Sequence, residues 1–320
     1  VDGPSCGWPE ARPEEIGGLY RGVVGCHIDA VCESFLNAQE NGIGRMLYDS
    51  GSGSFVCTGA LLNDTNDNTM VPYFLTAHHC LSTQAEASSL NVTWFFKSDF
   101  CDFLPPPIFA LPQSDGALLL VTNLNDATGS DRTLLQLTPL SDGQLLLGWT
   151  TSGLSIGETA WGLHHPGGEK LRWSEGTVDS TPHNCPTLPT SNYWYGHWSQ
   201  GTTEGGSSGS PLFNSAGQVV GQLFGRCGGG DRCDDRDDWN WVYGKLSHDF
   251  HEIDPFILSS GEWIGPSTPF PEDGSPFLPW DTIAEGVSAV AAGGWLYLYG
   301  GSYSEALTIS KAMTIIAYDG

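Results

Sequence analysis

Ser208 lies in Thr203-Glu204-Gly205-Gly206-Ser207-Ser208-Gly209-Ser210-Pro211, a turn-forming stretch that feeds the apolar pair Leu212-Phe213. Gly206 and Gly209 can take backbone angles that other residues reach only at a cost. Such a turn can aim several N–H groups at one point, as stabilising an oxyanion requires. A serine held there can attack a carbonyl once a base removes its proton. Composition alone would suggest a Gly/Ser linker. The run from Pro211 to Gly225, however, reads as a strand, a turn and a second strand.

The base must come from elsewhere in the chain. His79 ends the apolar stretch Tyr73-Phe74-Leu75-Thr76-Ala77-His78-His79-Cys80, and histidine is the commonest general base. A ring at a strand end is more often simply packed. A bridge between Cys57 and Cys80, though, would pin two neighbouring strands and fix where His79 sits. Asp131 directly precedes the apolar strand Arg132-Thr133-Leu134-Leu135-Gln136-Leu137. Most acids are surface groups, but the chain order His, Asp, Ser lets an interior Asp131 orient the His79 imidazole.

These side chains must be carried by a scaffold of strands. The chain has 320 residues, 39% of them hydrophobic, with 42 Gly, 20 Pro and 12 Trp. That composition favours many short strands joined by turns over long helices. No apolar run approaches membrane-spanning length, and no membrane partner is expected. The formal net charge of -25, from 12 basic and 37 acidic residues, has the wrong sign for nucleic acid or an anionic membrane. The nine cysteines show no repeated zinc-finger spacing and favour disulfides in a secreted protein. An odd count leaves at least one thiol unpaired within the chain. The chain opens at Val1 without an initiator Met or a signal peptide, as expected of a processed form.

Residues 1–25, with Pro4, Pro9 and Pro13, read as an extended N-terminal arm. Cys26 and Cys32 are too close for an easy mutual bridge and are expected to staple the arm to distant parts of the fold. Arg45–Tyr48 and Ser54–Leu62 read as paired strands, with the polar Asn63–Asn68 as a hairpin tip.

Thr-Ala-His-His-Cys at 76–80 and Gly-Ser-Ser-Gly-Ser-Pro at 206–211 resemble the signatures of chymotrypsin-like serine peptidases. The closer resemblance is to bacterial lysyl endopeptidases. Cys-x-Ile-Asp-x-Val-Cys at 26–32, Phe-Leu-Thr-Ala-His-His-Cys at 74–80, Ser-Asp-x-Thr-Leu-Leu at 130–135 and His-His-Pro at 164–166 add to the serine motif, five in order between Cys26 and Phe256. The resemblance implies an all-β peptidase domain over 26–258, two six-stranded antiparallel β-barrels with the site between them. A short C-terminal helix would follow, which Lys245–Ile257 could supply. It implies Ser208 as nucleophile, His79 as general acid and base, Asp131 as the group that holds His79, and the N–H groups of Gly206 and Ser208 as the oxyanion hole. Cys32–Cys101, and Cys26 with Cys227 or Cys233, are pairings implied in the same way. His78 is assigned to packing or support of the site. His164 and His165 offer too few ligands for zinc and point to opposite faces of a strand, so no metal and no cofactor is expected.

Two departures from the family pattern bear on mechanism. Ser207 stands where chymotrypsin-like enzymes place the Asp that pairs with a new N-terminus, so that activation switch should be absent and Val1 need not be buried. The specificity acid is also missing. The position six residues before the nucleophile is Thr202, and the position two before the Tyr of Val242-Tyr243-Gly244 is Trp241. A lysine head group is not buried against an indole without a counter-charge. The insertion 231–238 could fold an acid into the pocket, although a solvated loop is the simpler reading. Leu223, Phe224 and Gly225 occupy the segment that pairs with substrate backbone in the family, so a peptide could add as a strand.

Residues 259–279 read as a Pro/Gly/Ser linker, and 280–320 as a separate stretch. That stretch shows a helical spacing at 281–290 and short strands at 295–299, 306–309 and 313–317. Gly-Ser-Tyr-Ser-Glu-Ala-Leu-Thr-Ile at 301–309 resembles the opening rungs of a pectate-lyase-like right-handed β-helix, here a truncated fragment of a parallel β-helix. The expected function is a monomeric secreted serine endopeptidase acting on protein or peptide substrates, with basic residues as one possible cleavage preference. The competing reading is a binding protein or adhesin with a spent peptidase fold and a β-helical ligand module.

Overall fold

The computed structural model describes residues 25–318 apart from 34–37, 52, 66–69, 124–127, 138–141, 181–187, 229–232, 234–238, 259–260, 266–278, 291–293, 300 and 307. The N-terminal arm, the tip of the 63–68 hairpin, most of the 231–238 insertion, most of the linker, Cys6 and Cys185 fall outside those residues. Two compact units divide the chain, residues 1–63 with 70–250, and residues 64–69 with 251–320.

The larger unit is built on two antiparallel sheets. A short strand, β1 (Ile28–Asp29), joins the second of them. The first contains β2 (Ile43–Asp49), β3 (Ser54–Leu62), β4 (Tyr73–Ala77), β5 (Asn91–Trp94), β6 (Gln113–Asp115), β7 (Ala117–Thr122) and β8 (Arg132–Leu137), in the order β6-β5-β2-β3-β4-β8-β7. Its buried face collects Met46, Leu61, Phe74, Val92, Trp94 and Leu135, the period-2 inward positions of these strands. A six-residue helix, α1 (Gln84–Ser89), is held by a capping box between Thr83 and Glu86.

The second sheet contains β9 (Thr159–His164), β10 (Arg172–Val178), β11 (Tyr193–Gln200), β12 (Pro211–Phe213), β13 (Val219–Gly228) and β14 (Trp239–Lys245). The order β10-β11-β14-β13-β12-β9 closes through the β10–β9 ladder into a six-stranded barrel, with β1 added at β10. Its interior is packed by Trp198, Leu212, Leu223, Trp241 and Tyr243. One of the two expected six-stranded barrels is therefore present as such. The other is a half-barrel of seven strands, in which β6 and β7 are separated only by Gly116 (φ +72°). Those two strands flank Gly116 and form the two edges of the sheet.

The C-terminal helix expected over Lys245–Ile257 is shorter than the sequence suggests. A single turn, α2 (Asp254–Ile257), has Pro255 in its first turn, a position where its missing N–H costs nothing.

In the smaller unit β15 (Gly261–Ile264), β16 (Trp295–Tyr299) and β17 (Thr314–Tyr318) form a parallel sheet, with α3 (Ile283–Ala289) between the first two strands. β15 falls inside the stretch read as a linker. The 306–309 strand is not seen among the described residues. Glu305 instead accepts hydrogen bonds from Ile283 N–H and Ala284 N–H, which draws that segment to the start of α3. Among the described residues these strands form one three-stranded parallel sheet.

Candidate active site

The turn at Ser208 is shaped by two glycines with positive φ, Gly206 at +87° and Gly209 at +80°. A Cβ on Gly209 would lie 2.2 Å from Thr76 Oγ1 and 2.4 Å from Thr58 O. Strands β3 and β4 thus approach the turn too closely for any side chain there. Thr58 N–H donates to Ser208 O at 2.8 Å, Gly209 N–H donates to Leu223 O at 2.8 Å, and Thr58 Oγ1 donates to Gly206 O at 2.8 Å. Among the described residues, the N–H groups of Gly206 and Ser208 donate to no partner, so both can donate to a bound oxyanion.

His79 follows β4, and Cys80 beside it is bridged to Cys57 on β3. Asp131 precedes β8, is fully buried and has φ +59°. Its Oδ2 lies 2.7 Å from His79 Nδ1, and its Oδ1 accepts His79 N–H at 2.9 Å. One carboxylate thereby fixes both the ring and the backbone of His79. Neighbouring groups hold Asp131 in turn. Asn123 Oδ1 accepts Arg132 N–H at 2.9 Å, Gln222 Nε2 donates to Ser130 O at 2.7 Å, and the buried Arg132 donates to His248 O and Asp249 O. His78 N–H donates to Asp131 O at 3.1 Å, and the His78 ring meets Thr122 Oγ1 at 2.7 Å.

Burial pulls the His79 pKa down, but the charge and hydrogen bond of Asp131 outweigh it and the net shift is upward. The arrangement can therefore hold His79 with Nδ1–H on Asp131 and Nε2 available to a proton donor. Among the described residues no hydrogen bond joins Ser208 to His79, and catalytic hydrogen bonds often tighten only when substrate binds.

The specificity candidates divide into two groups. Phe224 packs edge-on against His79, ring centroids 5.8 Å apart, and against Tyr193 at 5.9 Å. Leu223 and Gly225 flank it at a register shift between β13 and β14. Thr202 and Trp241 are fully buried. Trp241 stacks near Trp198 at 5.3 Å and Tyr243 at 5.5 Å, and its ring lies over Gly196, where a Cβ would be 2.1 Å from it. Trp241 is part of the barrel core.

Sequence reasoning missed Thr58, which joins both halves of the site, and the partner of Ser207. Ser207 Oγ lies 2.8 Å from His164 Nδ1. The signal was the missing acid at 207, since a buried hydroxyl there needs a polar partner. His165 donates from Nδ1 to Glu169 O at 2.8 Å. Among the described residues, disulfides join Cys26 to Cys233, Cys32 to Cys101 and Cys57 to Cys80, so Cys26 takes Cys233 and not Cys227. Cys227 is itself disulfide-bonded.

The family described as "Lysyl endopeptidase, C-terminal domain" matches residues 23–243. A curated lysyl endopeptidase of Pseudomonas aeruginosa is 31% identical over 249 residues, covering 70% of this chain and 51% of that protein. Secreted RxLR effector protein 73 of Plasmopara viticola is 30% identical over 212 residues, covering 63% of this chain and 49% of the relative. The chain thus spans about half the length of the curated relatives it matches. Among solved structures, a scabies mite inactivated protease paralogue aligns with a TM-score of 0.49 at 14% identity, over 69% of this chain and 95% of that one.

Proposed function

The chain belongs to the lysyl endopeptidase C-terminal-domain family, and on that premise we propose that it is a secreted serine endopeptidase working through an acyl-enzyme. Ser208 Oγ attacks the scissile carbonyl carbon while His79 Nε2 takes its proton. Asp131 keeps the His79 proton on Nδ1 and stabilises the imidazolium that forms. The N–H groups of Gly206 and Ser208 donate to the oxyanion. Collapse expels the amine, which takes the proton from His79. A water molecule, deprotonated by His79, then releases the acid product and restores Ser208.

The observation that carries this reading is the His79 Nδ1–Asp131 Oδ2 hydrogen bond of 2.7 Å on the same scaffold as the Ser208 turn. The disulfides fit an oxidising compartment, and we read the active form as a monomer acting on protein chains. The peptidase domain spans 26–258 in this reading, and the parallel strands β15 to β17 open a β-helix-like domain. Cleavage after basic residues is a possible preference, weakened because the buried Trp241 stands where the family places an acid. Digestion of denatured casein with sequencing of the new termini tests both parts. The reading expects cleavage that Ser208→Ala abolishes, at sites not confined to lysine. No cleavage by folded protein contradicts the activity, and cleavage almost exclusively after lysine contradicts the specificity.

A further inference from the structure

Ser207 is fully buried beside Ser208 and carries no charge. Its hydroxyl accepts Glu204 N–H at 3.2 Å and meets His164 Nδ1 at 2.8 Å. On the far side of the ring, His164 Nε2 lies 3.0 Å from Ser174 Oγ. Burial first, then the nearby His27, His165 and Arg172, hold the His164 pKa well below its ordinary value, so the ring is neutral. A neutral imidazole has one donor and one acceptor. Ser207 O–H donating to Nδ1, with Nε2–H donating to Ser174 Oγ, satisfies both ring nitrogens.

The stretch that follows His164 also holds the turn. Gly167 N–H donates to Gly205 O at 2.6 Å. A trans peptide is planar, with its C=O and N–H opposed, so holding Gly205 O sets the direction of Gly206 N–H. Ser210 N–H, donating to Ser207 O at 3.1 Å, sets Ser208 N–H in the same way. Thr58 Oγ1 ties the two layers together, accepting His165 N–H at 3.0 Å while donating to Gly206 O. A Cβ on Gly206 would meet Gly167 N at 2.8 Å and His165 O at 2.9 Å, so the 165–168 segment lies directly against the turn.

We propose that His164 is a positioning residue that, through Ser207 and together with Gly167, holds the N–H groups of Gly206 and Ser208 in the geometry an oxyanion needs. The brace is neutral and permanent, and requires no ion pair from a freed N-terminus. It rests on the peptidase reading above.

The test uses the full chain, a peptide anilide built on a site cleaved in casein, and the matching peptide aldehyde as transition-state mimic. Loss of one oxyanion donor costs about 100- to 1000-fold. A loosened donor should cost less, so His164→Leu is expected to lower kcat roughly 10- to 100-fold with KM changed less than about twofold. Aldehyde binding should weaken by the same factor as kcat. His164→Asn, whose carbonyl oxygen can replace Nδ1 as acceptor for Ser207, should recover most of the loss. Should the leucine variant misfold, Ser207→Ala removes the same hydrogen bond with little change of volume and should show the same kcat-selective loss. Wild-type kcat in both His164→Leu and Ser207→Ala overturns the inference, as does a loss in which aldehyde affinity is unchanged. A wild-type chain that neither cleaves casein nor reacts with a fluorophosphonate overturns the peptidase reading, and the inference with it.

Discussion

Thr58 N–H donates to the carbonyl of Ser208 at 2.8 Å, so strand β3 holds the turn that carries the proposed nucleophile. The residue before it, Cys57, is bridged to Cys80 beside His79. Adjacent residues of one strand thus set the positions of base and nucleophile. Replacing both cysteines with serine removes a link spanning 23 residues, and the expected cost is about 3 kcal/mol of stability. Turnover should fall as well under conditions where the variant is still folded. Urea unfolding and kcat measured side by side check this, and an unchanged kcat would separate the bridge from the site.

Asp131→Asn should preserve the fold, since the amide oxygen can still accept His79 N–H. Its amide nitrogen would face His79 Nδ1 and favour the wrong tautomer. A fall in kcat on the order of 10⁴ is expected, with the thermal midpoint shifted by only a few degrees. Steady-state kinetics at saturating substrate, paired with thermal unfolding, measures both.

Because Asp131 raises the His79 pKa, the acid limb of kcat/KM should titrate above the ordinary histidine value of about 6.5. Activity rises with pH through that limb as His79 loses its proton. A pH–rate profile between 5 and 9 gives the midpoint, and Asp131→Asn should move it down.

The triad candidates were legible because sequence order and flanking residues carry them: His79 before Cys80, Asp131 before an apolar strand, Ser208 between glycines. The brace behind Ser208 was not legible. The Ser207–His164 bond joins residues 43 apart, and the missing acid at 207 calls for a polar partner without saying which residue supplies it. Likewise β15 was hidden by the Pro-rich composition around it, because its strand pairing is with β16, far along the chain. The choice of Cys233 over Cys227 needed the fold, since both lie close together in sequence.

Two buried histidines should make stability fall in acid. Burial, only partly offset by the hydrogen bond to Glu169 O, lowers the His165 pKa to about 3, and His164 is lowered too. The unfolded chain binds these protons near pH 6.5. The stabilising effect of keeping both rings neutral is complete above that pH and is lost as the pH falls, toward about 3 for His165. His79 has the opposite sign, its contribution being lost as the pH rises through its raised pKa, but it is one group against two. Unfolding free energies at pH 7 and 5 should differ, by up to about 1.4 kcal/mol per pH unit for each ring. His165→Phe should flatten the slope.

The central claim is that Ser208 is a nucleophile activated by His79. Incubating the folded chain with a biotinylated fluorophosphonate and mapping the adduct by mass spectrometry tests it directly. Stoichiometric labelling at Ser208, lost in Ser208→Ala and strongly slowed in His79→Ala, is the predicted result. No labelling of the folded chain, or labelling that persists in Ser208→Ala, would contradict it.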